Sequence, residues 1–595
     1  MDVSLAHAIE CRSNGIERHS KTRCGGAAVT HPSLDIPWRR PGRLRYARAR
    51  RAAFLRPPVS VYEMGAEVQK DADVAVRLRD GVTLRLNLYR PADADSPLPV
   101  LLSAHPYGKD ALPRKTRRGW KLNPQFRVMN QPVPFRISDQ TSWEAPDPVW
   151  WARQGYAVIN LDTRGGGHSE GRGTLLSDQE ADDIAQVIAW AAAQPWSNGR
   201  VGMLGVSYLA LSQYKVAALN PPALKAICPW EGFTDAYRDF FTPGGIVEDG
   251  FARVWLFLSS RAARLSGELA AERKAHPLRD GWWDALTPEL AKITVPILVC
   301  TSFSDANLHS VGSMRAFQEV SSEHRHAYAH RGPKWASFYG EEAREHQRAF
   351  FDRHLREVAA PELPRLRLEI RDRRDRIVEV RDEQEWPLER TAWRSLRLGS
   401  GGTLDEDGTA AGSVTFSLRR RAAAFEHRFS EDTELSGPMT LRLRLVTHGA
   451  PHGARDPRLF VGVEKRANGR PVGFEGSYGY GRDRVAQGRL RLALRELDSE
   501  RSRPHQPEHS FRTVQPLRDG EEVEAVIPLS SSATLFRAGE SLRLLIAGRY
   551  LEPRNPLFGH FPTHYQASGR GTATVLWGPD APSTLEIPVI PASVS

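Results

Sequence analysis

The sequence predicts an α/β fold that carries a helical insertion and is followed by an all-β domain. Between residues 59 and 360, apolar runs of strand length alternate with helical segments. A mostly helical stretch at about residues 233–292 separates two of these runs and predicts an insertion. After residue 361, helical patterns fade, and strands of alternating apolar and polar residues recur. These patterns predict two folded domains of different class.

The runs of the first domain predict a parallel sheet with both faces covered. A hairpin comes first, in VAVRLRDGVTLRLNLYRP, with its turn at RDG. Because the later runs are apolar nearly throughout and alternate with helices such as DIAQVIAWAAAQP, we expect both faces of the sheet to be buried. These later runs lie at residues 99–108, 156–165, 200–208, 224–232, 295–303 and 326–332.

The last domain, residues 361–595, is predicted to be a β-sandwich of jelly-roll type. It begins at a proline-containing break, APELP. Segments such as LRLRLVTH, SLRLLIAG and TLEIPVI alternate with a period of two residues. Short strands of this kind, separated by turns, are typical of antiparallel sandwiches.

Residues 1–58 form a basic N-terminal extension. They hold 12 Lys and Arg against four Asp and Glu, so most of the formal net charge of +11 lies there. The arginine-rich stretch 38–58 has no apolar period, and we expect a disordered, solvated extension rather than a nucleic-acid or membrane interface. Met64 is an alternative start, so whether residues 1–63 belong to the native protein stays open.

Composition excludes several protein classes. No secretory hydrophobic region opens the chain, and no stretch approaches the roughly 20 apolar residues of a membrane span. The four cysteines give neither a disulfide framework nor a zinc ligand set. The glycine-rich segment DTRGGGHSEG lacks the G-K-[ST] ending of a phosphate loop. We therefore expect a cytoplasmic protein that uses no metal and no organic cofactor.

A candidate nucleophile lies in VGMLGVSYLALSQYKVAA, residues 201–218. An apolar strand there passes through Gly205 into a helix, with Ser207 at the apex, which is typical of a nucleophile elbow. The common elbow reads G-x-S-x-G, whereas Leu209 stands at the fifth position here and the small residue Ala210 follows it. Taken alone, the motif leaves open an ordinary turn serine.

Asp305 is the candidate acid. A nucleophilic serine needs a base that takes its proton and a carboxylate that orients the base. Asp305 ends the apolar run VPILVCTSFSD, where the acid of an α/β-hydrolase belongs. The alternative is an N-cap for the helix that follows. Asp235 and Asp239 are rival acids, but they lie in the insertion.

His330 is the candidate base. It ends the run HRHAYAH, one strand after the acid, where the strand gives way to the loop RGPKW. Chain order in α/β-hydrolases runs from serine through acid to histidine. His324 and His326 lie in the same run and are the alternatives.

Seven motifs between residues 79 and 339 point to one family, and the match as a whole begins at about residue 60. They read RDGVTLRLNLYRP, HPYGKD, LDTRGGGHSEG, AAQPWSNGRVGMLGVSYLA, NPPALKAICPWEGFTDAYRDF, SFSDANLHSVGSMRAF and HRGPKWASFY. Together they resemble the bacterial cocaine-esterase/X-Pro dipeptidyl-peptidase family of serine hydrolases. The resemblance extends through the β-rich domain and implies an α/β-hydrolase core, a helical cap and a C-terminal jelly roll. Family members favour G-x-S-Y-x-G, which implies that Ser207 is the nucleophile.

The resemblance also implies an oxyanion hole, formed by the hydroxyl of Tyr107 and the backbone N–H of Tyr208. Two motifs depart from the family pattern. Many members have a histidine after GPW, whereas AHRGPKWAS resembles a subset with its histidine before a KW pair, which favours His330. The acid loop SFSD replaces the common GW-x-D, so the shape of the family's acyl pocket does not carry over.

We therefore predict a serine hydrolase that cleaves an ester or amide of a small acyl donor through an acyl-enzyme. The alternative is an X-Pro dipeptidyl peptidase, which must recognise a free α-ammonium and so needs a buried carboxylate near the pocket. Glu231, Asp235 and Glu248 are candidates for that carboxylate. The expected partner is a small-molecule substrate, with no nucleic acid and no membrane, and a homodimer is a candidate assembly.

Overall fold

A computed structural model describes most of the chain. The described residues are 43–128, 133–267, 269–374, 376–407, 410–449, 456–474, 476, 483–552 and 562–592. Residues 1–42 of the basic extension, and with them most of the predicted disorder, lie outside this part. Residues 43–55 form a helix, α1 (Arg43–Leu55), which corrects the prediction of disorder for this stretch. It is rich in Arg and Ala and contains neither Pro nor Gly, a composition that favours helix.

Fourteen strands of the described residues belong to the first part of the fold. In chain order they are β1 (Val59–Tyr62), β2 (Val68–Arg77), β3 (Thr83–Pro91), β4 (Leu98–His105), β5 (Arg114–Thr116), β6 (Gly119–Lys121), β7 (Phe135–Ser138), β8 (Ala157–Asp162), β9 (Ser197–Val206), β10 (Leu224–Trp230), β11 (Ile297–Ser302), β12 (Arg325–His330), β13 (Leu366–Arg373) and β14 (Arg376–Glu383).

A central sheet has the strand order β2-β3-β8-β4-β9-β10-β11-β12-β13-β14. Pairing is parallel from β8 through β13 and antiparallel at both edges. The predicted hairpin forms β2 and β3, and the predicted runs form the central strands. Strands β13 and β14 lie beyond residue 361 yet extend this sheet, so the sheet continues past the predicted domain boundary.

Helices cover both faces of the sheet, as the continuous apolar runs predicted. One face packs against α4, α5 and α9, and the other packs against α3, α10 and α11. Their bounds, with the short α2, are α2 (Gln125–Val128), α3 (Pro148–Arg153), α4 (Asp178–Ala192), α5 (Tyr208–Ala218), α9 (Ser310–Glu319), α10 (Lys334–Phe338) and α11 (Glu341–Phe351). No helix of the described residues is long and apolar enough to cross a membrane.

The segment between β10 and β11 is mostly helical. It contains a π-helical turn at Ala236–Phe241, a 3-10 turn at Pro243–Gly245, α6 (Phe251–Ala262), α7 (Leu269–Ala275), α8 (Gly281–Leu286) and a 3-10 turn at Leu290–Lys292. A second π-helical turn, Asp352–Arg356, follows α11.

The C-terminal domain is rich in β-structure. Its strands are β15 (Ala392–Gly399), β16 (Thr403–Asp405), β17 (Gly412–Ser417), β18 (Ala423–Arg428), β19 (Thr433–Gly449), β20 (Arg458–Ala467), β21 (Arg470–Val472), β22 (Ala486–Arg491), β23 (Glu522–Phe536), β24 (Ser541–Ala547), β25 (Gly571–Trp577) and β26 (Thr584–Ile590), with 3-10 turns at Ser400–Gly402 and Leu492–Leu494. Strand β19 pairs with β23, β25 and β26, and β24 pairs with β18 and β20. All five pairings are antiparallel.

A sharp turn joins β9 to α5. Ser207 has φ of +58° and ψ of −115°, a strained backbone conformation for a residue that is not glycine. A Cβ atom on Gly205 would lie 2.4 Å from the Cβ of Leu209, so only glycine fits there. The methyl group of Ala210 faces Gly232, where a Cβ atom would lie 2.6 Å from it. The common elbow has its small residue at the position of Leu209. Here the small residue is Ala210, one position later, and Gly232 leaves space for its methyl group.

We expect Gly232→Ala to lower the free energy of unfolding by about 1–3 kcal/mol, because two methyl groups would then overlap. Removing the opposing methyl with Ala210→Gly in the same protein should recover much of this loss. Urea unfolding of the single and double variants measures the coupling between the two positions.

Ala218→Gly on the same helix provides a matched control. It carries a similar helix-propensity cost, about 1 kcal/mol, without touching Gly232. Strictly additive effects of Gly232→Ala and Ala210→Gly, or equal rescue by Ala218→Gly, would contradict this packing account.

Candidate active site

Ser207 lies at the carboxyl end of β9 and directly before the first residue of α5. Its backbone N–H donates to the carbonyl oxygen of Trp230 on β10, at 3.1 Å, which ties the turn to the neighbouring strand. Three parallel strands, β9, β11 and β12, end close together at this edge of the sheet. Functional side chains of open α/β sheets gather at such an edge.

The structure brings Ser207 to His309. The hydroxyl oxygen of Ser207 lies 3.2 Å from Nε2 of His309. On the other side of the ring, Nδ1 of His309 lies 2.5 Å from Oδ2 of Asp305. Both His309 and Asp305 are buried. A hydroxyl, an imidazole and a carboxylate therefore form one continuous hydrogen-bonded chain.

Local backbone structure explains why Asp305 and His309 meet. The carbonyl oxygen of Asp305 accepts hydrogen bonds from the N–H groups of Leu308, His309 and Ser310. The chain therefore makes one helical turn between β11 and α9, and residues four apart on such a turn share a face. His309, and not Asp305, occupies the N-cap position of α9.

His330 does not lie where the sequence analysis expected it. It ends β12 as predicted, but in the described part of the chain it makes no hydrogen bond with Ser207 or Asp305. Its Nδ1 accepts the N–H of Gly332 at 3.0 Å, and its Nε2 lies 3.4 Å from Oε1 of Glu231. His309 occupies the position expected for the base. It lies one helical turn after Asp305, before β12 begins.

The missed histidine had a signal in the sequence. Asp305 and His309 stand four residues apart in SFSDANLHSVGSMRAF, directly before an amphipathic helix. An (i, i+4) pair at a helix start lies on one side of the turn. The alternatives His324 and His326 lie away from this site: His326 contacts the carbonyl oxygen of Pro364, and His324 packs on His354.

A buried lysine joins the site from α10. Nζ of Lys334 lies 3.2 Å from Nδ1 of His309, 3.3 Å from Oδ2 of Asp305 and 3.4 Å from Oε2 of Glu231. It belongs to the KW pair of AHRGPKWAS, but nothing in the sequence indicated that its side chain reaches the site, because a lysine at the start of a short helix is ordinary. Its ammonium lies between two carboxyl groups and beside the imidazole of His309.

Burial and the nearby charges determine the protonation states of Asp305 and His309. Burial opposes ionisation of Asp305, but His309 and Lys334 outweigh it and hold the pKa of Asp305 below its ordinary value. Burial and the charge of Lys334 lower the pKa of His309, although Asp305 opposes them. The resting site therefore has a carboxylate and a neutral imidazole, which can accept a proton from Ser207.

Tyr107 follows β4 and is held by a residue of α6. Nε1 of Trp255 donates a hydrogen bond to the hydroxyl oxygen of Tyr107, at 2.9 Å. The hydroxyl hydrogen of Tyr107 is then left to point elsewhere. Burial raises the pKa of Tyr107 well above its ordinary value, so the phenol keeps its proton.

Tyr208 begins α5, so its backbone N–H belongs to the first turn of a helix, where N–H groups lack partners within the helix. Its hydroxyl donates to Oε2 of Glu180 at 2.7 Å, and its ring stacks on Trp255 at 6.0 Å. The ring is thus anchored on both sides, which fixes the direction of the backbone N–H.

Glu144 is a further residue of the site that the sequence analysis missed. It lies in the loop between β7 and α3, and its backbone carbonyl oxygen accepts the N–H of Val206 at 3.0 Å, one residue before Ser207. Burial raises the pKa of Glu144 to about 8, against the opposing effect of Lys334. Neither its loop position nor its neighbours in the sequence distinguish it from an ordinary surface glutamate.

Metal-ligand types also meet at this site. Oxygen and nitrogen atoms of Glu231, Asp305 and His309 lie within 4.8 Å of one another. The ammonium of Lys334 contacts the same three side chains, so a positive charge is already built into the cluster. This arrangement fits a lysine-bridged network better than a metal centre.

The carboxylates proposed as rivals or as ammonium ligands have other contacts. Asp235 pairs with Arg238 and Arg279, both at 3.1 Å. Asp239 pairs with Arg315 at 2.9 Å. The carboxylate of Glu248 accepts the backbone N–H groups of residues 250–252.

Known proteins resemble both parts of the chain. Residues 80–333 match the X-Pro dipeptidyl-peptidase (S15 family) model, and residues 359–586 match the X-Pro dipeptidyl-peptidase C-terminal non-catalytic domain. Cocaine esterase of Rhodococcus sp. is 29% identical over 456 residues, which cover 65% of this chain and 71% of that protein.

Solved structures extend the similarity over most of the chain. A CocE/NonD family hydrolase from Staphylococcus aureus is 33% identical and superposes with a TM-score of 0.81, covering 88% of this chain and 93% of that one. An α-amino acid ester hydrolase, at 18% identity and a TM-score of 0.63 over 88% of this chain and 97% of that one, shares the fold. The chain therefore belongs to the cocaine esterase/X-Pro dipeptidyl-peptidase family, and it is a serine hydrolase that acts on ester or amide bonds.

Proposed function

We propose that this protein is an esterase for small acyl substrates, with Ser207, His309 and Asp305 as its catalytic triad. The observation that carries the proposal is the hydrogen-bonded chain from the hydroxyl of Ser207 through His309 to Asp305. Ser207 attacks the carbonyl carbon while Nε2 of His309 takes its proton, and Asp305 holds the ring and stabilises the imidazolium. His309 then protonates the leaving group, and water hydrolyses the acyl-enzyme.

In this proposal His330 supports the triad without touching substrate. Since Nδ1 of His330 accepts the N–H of Gly332, its proton belongs on Nε2, which faces Glu231. Glu231 in turn lies beside Lys334, whose ammonium contacts Asp305. A series of polar contacts therefore runs from His330 through Glu231 to Lys334, and it holds Lys334 against Asp305.

The oxyanion site is assigned to the hydroxyl of Tyr107 and the backbone N–H of Tyr208, as the family resemblance implies. Because Tyr107 accepts the indole N–H of Trp255, its own hydrogen is free to donate to the carbonyl oxygen of the substrate. Donors fixed in place before reaction stabilise developing negative charge most effectively.

Ester hydrolysis is favoured over dipeptidyl-peptidase activity by the state of the candidate carboxylates. Glu231 contacts Lys334 and His330, Asp235 is paired with two arginines, and Glu248 accepts three backbone N–H groups. Binding the α-ammonium of a peptide would require one of these groups to abandon a buried partner, which is costly.

We further propose that the helical segment between β10 and β11 acts as a cap and that the C-terminal domain is a jelly roll. Trp255 of α6 contacts Tyr107, which places the segment beside the proposed oxyanion site. Arg238 of the segment contacts Glu508 of the C-terminal domain, and Arg315 of α9 contacts both Asp239 and Glu508. Cap, core and C-terminal domain would then shape the substrate pocket together.

Replacing His309 should abolish turnover, whereas replacing His330 should not. We expect His309→Ala and Ser207→Ala each to lower kcat by about 10⁴-fold or more, since the triad acts as a unit. We expect His330→Asn to lose less than about tenfold, since a residue that acts through another costs less. The measurement is initial rates with p-nitrophenyl acetate, butyrate and benzoate beside Ala-Pro-p-nitroanilide.

The rates are expressed per folded protein, with far-ultraviolet circular dichroism as the check on folding. Loss of activity in His330→Asn equal to that in His309→Ala would contradict the assignment of the base. Release of p-nitroaniline from the Ala-Pro substrate, lost in Ser207→Ala, would instead place the protein among the dipeptidyl peptidases.

Lys334→Met should move the acid limb of the pH profile to higher pH. His309 must be neutral to act as a base, and the charge of Lys334 helps to keep its pKa below the ordinary value of about 6.5. Without that charge the imidazolium is less disfavoured, so kcat/KM should begin to fall about one pH unit earlier as pH decreases. Profiles of kcat/KM between pH 4 and 8, taken with an ester substrate, test this.

Lys334→Arg is the matched control, because it keeps a positive charge at the position. It should shift the acid limb less than Lys334→Met does. Identical acid limbs in the wild type and in Lys334→Met would show that Lys334 does not influence the proton-accepting group.

Trp255→Phe should weaken catalysis through Tyr107. We expect Tyr107→Phe to lower kcat by about 10²-fold, the usual cost of one oxyanion donor, and Trp255→Phe to lower it by about tenfold through loss of the orienting indole N–H. If Trp255 acts only through the hydroxyl of Tyr107, the double variant should be no worse than Tyr107→Phe alone. Additive losses in kcat would refute this dependence.

A further inference from the structure

A cavity of about 190 Å³ lies where the C-terminal domain meets the rest of the chain. Its walls come from the helical segment between β10 and β11, from α9, and from β19, β22, β23 and residues 501–511. In the described part of the chain, Ser207, Asp305 and His309 do not line it. The cavity is therefore distinct from the candidate active site.

Positive charge is in excess on the walls of this cavity. Five arginines and three acidic residues line it: Arg238, Arg315, Arg489, Arg501 and Arg503 with Asp239, Glu319 and Glu508. Each of the three carboxylates pairs with an arginine of the wall, in Arg315–Asp239 at 2.9 Å, Arg503–Glu319 at 2.6 Å and Arg501–Glu508 at 3.0 Å. Two guanidinium groups, of Arg238 and Arg489, therefore have no carboxylate of the wall to themselves.

Arg238 is buried with an incomplete set of hydrogen bonds. It is 8% exposed, and its Nη1 donates to the carbonyl oxygen of His509, whereas its Nη2 has no hydrogen-bond partner among the described residues. Oδ2 of Asp235 lies 3.1 Å from Nε of Arg238, but it lies equally close to Nε of Arg279. Nε2 of His509, on the same wall, is a second buried nitrogen without a partner in this part of the chain. Unpaired buried polar groups are costly, so an anionic oxygen in the cavity would be stabilising.

Apolar side chains complete the walls. Leu308, Met314, Met439 and Leu529 line the cavity, and all four are buried. A cavity of about 150 Å³ is large enough for a benzene ring, so this one has room for a ring or a short alkyl chain that carries one charged group. An inorganic anion such as phosphate would leave these apolar side chains without contacts. The walls therefore fit an organic anion with one charged end and an apolar body.

We propose that this cavity is a binding site for a small organic monocarboxylate. The carboxylate accepts a hydrogen bond from Nη2 of Arg238, and the apolar body lies between α9 and the C-terminal domain, against Met314 and Met439. Guanidinium groups are the usual partners of carboxylates, and methionine side chains adapt to ligands of different shape. The acid that is released from a small acyl ester has this chemistry. That link to a reaction product rests on the proposed function, whereas binding of the anion does not.

Benzoate and its neutral isostere benzamide test the class of ligand. We expect benzoate to bind the full chain about tenfold more tightly than benzamide, because a hydrogen bond between two charged groups is stronger than one to a neutral amide. Isothermal titration calorimetry at constant ionic strength gives both dissociation constants, and inorganic phosphate serves as a third probe. Equal binding of benzoate and benzamide, tighter binding of phosphate, or no binding of benzoate would overturn the proposal.

Arg238→Met should raise the Kd of benzoate about tenfold or more, since it removes the guanidinium group that binds the carboxylate. Asp235 keeps Arg279, and Glu508 keeps two other arginines, so the variant leaves neither carboxylate without a cation. Arg279→Met is the matched control, because it removes a charge paired with the same Asp235 but does not line the cavity. It should change Kd by less than about threefold, since Coulomb attraction weakens with distance. Equal loss of binding in both variants, or unchanged binding in Arg238→Met, would refute the assignment.

Crystals of the wild type soaked with 4-bromobenzoate locate the ligand without any variant. Anomalous scattering from bromine should place it between α9 and β22, with the carboxylate within hydrogen-bonding distance of Arg238. Bromine found only beside Ser207, or nowhere, would overturn the proposal even if Arg238→Met fails to fold. Failure of the proposed function is separate: it would appear as unchanged turnover of p-nitrophenyl esters in Ser207→Ala, a change that does not touch the cavity.

Discussion

The contact between the ammonium of Lys334 and the carboxylate of Asp305 is the interaction on which the site depends. Both side chains are buried, and a buried charge is tolerated only when it is paired. Lys334 also reaches Glu231, so one cation lies between two carboxyl groups that would otherwise repel each other. With the charge of Asp305 held in this way, His309 keeps one orientation, with Nε2 towards Ser207. Removing one member of such a buried group leaves the others unpaired, so the group holds together only as a whole.

The parallel sheet makes this contact geometrically possible. Ser207 follows β9, Asp305 follows β11, and Lys334 lies just after β12, so three separate stretches of chain meet at one sheet edge. Register fixes their relative heights: Ser302 pairs with His330, and Trp230 pairs with Cys300. A slip of one residue in β12 would turn its side chains to the other face of the sheet and move Lys334 away from Asp305. The fold thus determines the electrostatics of the site through strand pairing.

Sequence reasoning was strong where the pattern is repetitive and weak where it is local. Long apolar runs predicted the parallel sheet, because a strand that is buried on both faces is apolar nearly throughout. Ser207 and Asp305 stood out because they end such runs. The chain order of the fold favours a histidine at the end of a later strand and so pointed to His330, whereas one helical turn after the acid is enough to bring His309 to Ser207. Lys334 and Glu144 had no pattern to reveal them, since what distinguishes both is burial, which depends on the packing of distant segments.

The two unexpected residues are coupled through charge. The carboxyl groups of Glu231, Asp305 and Glu144 all act on the ammonium of Lys334. If all three were ionised, a single ammonium would face three buried negative charges, and the arrangement would be strongly disfavoured. Burial raises the pKa of Glu144 to about 8, although Lys334 opposes this. The ammonium that helps to keep Asp305 ionised therefore only partly offsets the burial of Glu144, so the two carboxyl groups respond differently to the same cation.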